Sequence, residues 1–156
     1  MEIVKSPNKI LFTKSQEVTK IDDSIRNLVK QMLEKLSTIE GVGLAAPQIG
    51  KNLRITVIGF QPTEEQVKRN PFLKPIPKLV LINPQIVNHS KQMAVEKEGC
   101  LSVGNKEIAV PRYDKIVVQF QDEFGKKKKL KARGYLARII QHEVDHLEGR
   151  TISYYE

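Results

Sequence analysis

The chain has 156 residues, with 26 Lys and Arg against 18 Asp and Glu, a net charge of +8 and 40% hydrophobic residues. This composition excludes wholesale disorder, and the length predicts one domain over residues 1–156. One cysteine excludes an internal disulfide. No apolar run reaches the roughly 18–20 residues of a membrane span, and MEIVKSPNKI holds no apolar signal segment, so a cytoplasmic protein without a membrane partner is expected.

In chain order, residues 22–36 carry Ile25, Leu28, Val29, Met32, Leu33 and Leu36 at helical spacing, with Asp22, Asp23 or Ser24 as cap. This stripe predicts a core helix without chemistry. Residues 41–50 are rich in glycine and alanine and allow another chain to approach closely. Arg54–Phe60 reads as a strand. Residues 61–77, with Pro62, Pro71, Pro75 and Pro77, read as the least ordered loop. Lys78–Asn83 reads as a strand ended by Pro84, with Gln85–Asn88 as an extension beyond a turn.

Ile108–Val110 and Lys115–Gln121 are further strands. Asp122–Gly125 is a turn and Lys126–Ala132 the returning arm of a hairpin. Lysines on an edge strand discourage aggregation, and this explains the basic run better than nucleic-acid contact. No aromatic residues interleave with it, and the chain has no Trp. No DNA partner is expected. Gly134–Leu147 reads as a second helix, with Leu136, Ile140, Val144 and Leu147 on one face and Gly149 just past its end. Central strands with a helix near each end predict an α+β fold.

The second helix contains His142-Glu143-Val144-Asp145-His146. Residues four apart share a helix face, so two imidazoles can bind one metal while Glu143 reaches its water as general base. A catalytic metal usually takes three protein ligands and keeps one position open. Downstream of His146 only Glu148 and Glu156 carry carboxylates, and neither is well placed. The third ligand is then sought upstream, where Cys100 stands out. Taken alone, a free cysteine is most often an inert buried thiol. Beside a metal-binding helix short of one ligand, Cys100 becomes the candidate, and its thiolate favours a softer ion than Mg or Ca.

Three segments, Gly41–Gln48 (GVGLAAPQ), Glu98–Ser102 (EGCLS) and Gln141–Gly149 (QHEVDHLEG), resemble the three motifs of the peptide deformylase family, in the same order. The resemblance implies removal of the N-formyl group from the initiating methionine of nascent polypeptides. It implies a divalent ion held by Cys100, His142 and His146, with Fe(II) as resident and zinc, nickel or cobalt able to substitute. It implies an α+β fold with the metal-binding helix among small antiparallel sheets. Glu143 is then the proton carrier, and the Gln48 side chain and Leu101 N–H are the oxyanion donors.

Val42 and Gly43 can offer a bare edge to which a substrate backbone adds as a strand, with Gly99 also beside the substrate. Val42, Tyr135, Ile139 and the His142 ring are expected to line a methionine pocket. Glu98 can pair with Arg112 to brace the Cys100 segment, and Asp145 and Gln141 can support the site. The expected partners are N-formylmethionyl peptides and a transient encounter with the ribosome, the protein acting as a monomer.

Departures from the family pattern lie near the substrate. Gly104 follows Val103 where relatives carry proline, and Glu107 stands where many have a basic or aromatic residue. The sequence stops just after Tyr155, without the C-terminal helix that many bacterial relatives use for ribosome docking. A metallopeptidase cutting internal amide bonds and a catalytically silent RNA-binding protein are the competing readings. The Cys100 segment speaks against the first and the dispersed charge against the second.

Overall fold

In the computed structural model, which describes residues 1–156, α1 spans Asp23–Leu36. The Asp22 carboxylate accepts from the Ile25 N–H and caps the first turn. Leu28, Val29, Met32 and Leu36 are buried, with Ile25 and Leu33 packed around them. Each such aliphatic side chain, fully buried, contributes about 1.5–3 kcal/mol.

Seven strands follow: β1 (Gly43–Ala45), β2 (Ile55–Phe60), β3 (Ile76–His89), β4 (Met93–Gly99), β5 (Glu107–Tyr113), β6 (Lys115–Gln121) and β7 (Lys127–Arg133). Five form one sheet in the order β1-β2-β3-β6-β7, and β4 pairs with β5 alone. Every pairing is antiparallel, so the fold is α+β. Successive side chains of a strand point to opposite faces. Ile55 and Val57 of β2 therefore pack with α1, and Ile58 packs with α3 (Gly134–Leu147). Further along, Ile116, Val118, Phe120 and Ala132 turn toward Ala137, Ile140 and Val144 of α3. No helix is long and apolar enough to cross a membrane.

The structure corrects two local expectations. Residues 61–77 are not one loop. They contain α2 (Glu64–Arg69), started by a capping box between Thr63 and Gln66 and braced by the Arg69–Glu65 pair one turn apart. Pro84 does not end its strand. Asn83 takes a φ of 52° and bonds Val18 and Gln121 through its amide. The register slips between Ile82 and Gln85, a bulge that takes Pro84 out of the ladder. The structure also adds β4, a strand not read from the sequence, which carries no apolar alternation because only Glu98 in it is buried. Its pairing with β5 rather than a core face holds it as a strand.

Candidate metal centre

His142 and His146 stand one turn apart on α3, with ring centroids 5.0 Å apart. Cys100 follows β4 and precedes a short 3-10 turn over Leu101–Val103. The ligand atoms of Cys100, His142 and His146 all lie within 4.8 Å of one another. Cys100 Sγ is 3.5 Å from His146 Nε2. In front of them opens a cavity of about 590 Å³, lined by Val42, Gly43, Gln48, Gly99, Cys100, Leu101, Tyr135, Ile139, His142 and Glu143 among others. His146 lies behind this lining, almost wholly buried. Every site residue named from the sequence is thus on the cavity wall or directly behind it. The structure places them together without assigning their roles.

Glu98 anchors the arrangement. Its Oε1 accepts from His142 Nδ1 at 2.8 Å, which leaves Nε2 of that ring free. Arg112 donates to both Glu98 oxygens, Nε to Oε2 at 3.0 Å and Nη2 to Oε1 at 2.9 Å. Arg138 adds a third cationic contact at 2.6 Å to Oε2. Burial alone would raise the Glu98 pKa, but hydrogen bonds from His142 and Arg112 outweigh it and hold the carboxyl far below its usual range.

Titration fits a cation at this point. Burial pushes His146 well below its ordinary pKa, so its ring is neutral and able to ligate. Its Nδ1 is buried without a protein partner. For His142, burial opposes the charged ring, yet hydrogen bonds to Cys100 and Glu98 lift it to about 10. The surroundings of His142 thus favour positive charge, and a divalent ion supplies it without a proton. One thiolate and two imidazoles suit Fe, Zn, Ni or Co and not Mg or Ca.

Glu143 faces the same cavity. Burial raises its carboxyl to about 7, against the opposing pull of His142 and Thr56. Thr56 Oγ1 lies 3.4 Å from Glu143 Oε2. Gly43 sits directly against this carboxyl. A Cβ at Gly43 would lie 2.8 Å from Glu143 Oε1, so the strand can pass only without a side chain. The Gln48 amide is oriented by its neighbours. Its Oε1 accepts from Ala45 N–H at 3.0 Å, and its Nε2 donates toward Ser102 Oγ at 3.2 Å and Cys100 Sγ at 3.7 Å. Leu101 opens the 3-10 turn, where the first N–H groups have no partner within the turn.

Supporting residues surround the site; Asp145 and Gln141 are expected from the sequence, whereas Arg138, Tyr155, Lys5 and Ser6 are not. Arg138 is buried and also holds the carbonyls of Val110 and Ala94, binding the β4–β5 hairpin to α3. Asp145 accepts from Arg112 and from the Tyr155 hydroxyl. Gln141 clamps both backbone groups of Tyr113. Lys5 donates to the Leu101 carbonyl, and Ser6 N–H to the Ser102 carbonyl. The only signal for Arg138 is its place one turn before His142 on the same helix face, and Tyr155 and Lys5 give none.

The profile of the polypeptide deformylase family matches residues 1–155. The chain belongs to that family. A peptide deformylase from Picosynechococcus is 45% identical over 142 residues, 91% of this chain and 71% of the relative. The crystal structure of peptide deformylase from Ehrlichia chaffeensis superposes with a TM-score of 0.89 at 39% identity, covering 100% of this chain and 87% of that one. A Met-Ala-Ser-bound peptide deformylase from Acinetobacter baumannii gives a TM-score of 0.90 at 28% identity, covering 100% and 98%. The chain is accordingly a metal-dependent hydrolase that removes the formyl group from the N-terminal methionine of nascent peptides.

Proposed function

We propose that Cys100, His142 and His146 hold one divalent ion, Fe(II) in the cell, and that residues 1–156 act as a single catalytic domain. The observation that carries this reading is the convergence of those three ligand atoms within 4.8 Å beside the Glu143 carboxyl. The ion, when bound, acidifies water and draws charge from the formyl oxygen. Glu143 accepts the water proton and returns it to the leaving amine. The Gln48 Nε2 and the Leu101 N–H donate to the oxygen on which charge builds. Burial raises this carboxyl and a bound cation lowers it again, and between these opposing pulls it can accept a proton and give it back.

The substrate backbone adds to β1, which is the open edge of the larger sheet. Backbone pairing ignores side-chain identity, which suits an enzyme acting on many nascent chains. Val42, Tyr135 and Ile139 receive the methionine side chain, and Gly99 leaves room on the β4 side. The relative that carries Met-Ala-Ser supports a peptide in this cavity. A monomer in the cytoplasm with only brief ribosome contact completes the reading.

The test is anaerobic purification with Fe(II), metal analysis and formate release from formyl-Met-Ala-Ser. Wild type is expected to carry close to one ion per chain and to turn over. Cys100→Ala is expected to lose most of both; full metal content in that variant would remove Cys100 from the ligand set. Gly43→Ala checks the placement of Glu143. Its methyl group pushes on the carboxyl, and displacement of about 1 Å costs on the order of 100-fold in kcat/KM. Metal content should stay at the wild-type level. Wild-type kinetics in Gly43→Ala would show that Glu143 need not stay where it is.

A further inference from the structure

One face of the larger sheet is left open where α3 covers the other. Lys115 and Val117 of β6 pair with Arg133 and Lys131 of β7, and Gln119 pairs with Lys129. These side chains point away from α3, and Lys127, Lys129, Lys131 and Arg133 are all exposed. Cations two residues apart on one strand stand about 7 Å from each other, in a row. No Asp or Glu occurs in β3, β6 or β7. The one ion pair in this hairpin joins Lys128 to Asp122, leaving the row free of carboxylate partners.

At the Arg133 end the face deepens into a cavity of about 540 Å³. Lys115, Lys131 and Arg133 line it together with Asn88, His89 and Ser90. His89 reaches this cavity from the strand end, while its ring, opposite Ile116, turns to the other side of the sheet and stacks on Tyr113. Protection of an edge strand explains charge on β7. It does not explain Lys115 on the inner strand β6 or the missing carboxylates.

We propose that the open face of β6 and β7, with the cavity at its Arg133 end, docks the phosphate backbone of single-stranded RNA. A row of free cations matches successive phosphates. A bilayer is a poorer fit, because the one large exposed apolar side chain of this hairpin, Phe124, stands on the turn at the end away from the Arg133 cavity. The choice of RNA rests on the deformylase reading, since nascent chains emerge where RNA is concentrated.

The test uses the full chain and a fluorescein-labelled single-stranded RNA oligonucleotide, with affinity followed against salt. Lys115→Gln, Lys129→Gln and Lys131→Gln are combined in one variant. A control of equal charge combines Lys20→Gln, Lys30→Gln and Lys68→Gln, all exposed elsewhere. The face variant is expected to bind at least about tenfold more weakly. Its slope of log affinity against log salt should be shallower by about 2, from three lost contacts at about 0.7 each. The control should bind as wild type does. Equal losses in both variants, no binding by wild type at low salt, or face-dependent binding to phosphatidylglycerol vesicles in place of RNA would each overturn the proposal. Formate release from formyl-Met-Ala-Ser is measured alongside and should be unchanged in both variants. A wild-type enzyme without formate release would count against the deformylase reading alone.

Discussion

Glu143→Gln is expected to lower formate release by about two to four orders of magnitude, the usual contribution of a positioned acid–base group, while the protein keeps its metal. The substitution preserves shape and burial, so the neighbours that hold Glu143 remain. Gly43 still passes against the side chain, and Thr56 still has an oxygen or amide within reach. What is lost is the ability to take and return a proton. The charge change is small in the protein without metal near pH 7, because burial raises the carboxyl to about 7. The effect should therefore fall on kcat and not on folding. Metal analysis, thermal unfolding and formate release on the same preparation check this. Glu143→Gln with near-wild-type kcat would refute the proton-carrier role, and loss of metal would make Glu143 part of what retains it. In the wild type, activity should rise with pH as the carboxyl ionises, since only the ionised form accepts the proton. A bound cation favours ionisation and moves that rise below pH 7.

The chemistry of the centre was legible because it is written in short segments. His142 and His146 are bound by helix geometry to share a face, and Glu143 lies between them. Cys100 required an argument from a missing ligand, since the contact between Cys100 and His146 spans 46 positions. The supporting shell was less legible. Glu98 and Arg112 were readable as a pair, but Arg138 enters only because α3 crosses behind the β4–β5 hairpin. Thr56 reaches Glu143 because a strand read as core turns every second residue to the other face. Proline counting misled at residues 61–77, where a six-residue helix needs only Thr63, Gln66 and one ion pair to start and hold. It misled again at Pro84, because a single residue with positive φ absorbs the proline. The β4 strand was invisible, as its exposed Met93–Lys97 stretch alternates in no way that burial would impose.

Removal of the Glu98 carboxylate is expected to have the largest effect on stability. Arg112, Arg138 and His142 all donate to it, and Arg112 and Arg138 are buried. Glu98→Ala leaves these cations short of a counter-charge, although Arg112 keeps Asp145 and Arg138 keeps Glu96. Breaking a buried pair from one side costs about 3–5 kcal/mol. The His142 ring also loses the partner that fixes its Nδ1, which typically costs about 10–100-fold in metal affinity or activity. Denaturant unfolding of the metal-free protein separates the two effects, because the first persists there and the second does not. The dependence on pH has a definite sign. Glu98 titrates in the folded protein below its ordinary value of 4.5, so folding favours the ionised form. The stabilisation is complete above about pH 4.5 and is lost as the pH falls from there through the folded pKa. Wild type should therefore lose more stability than Glu98→Gln between pH 7 and pH 3, narrowing the gap between them. A constant gap across that range would mean that the buried carboxylate is not what ties α3 to the hairpin.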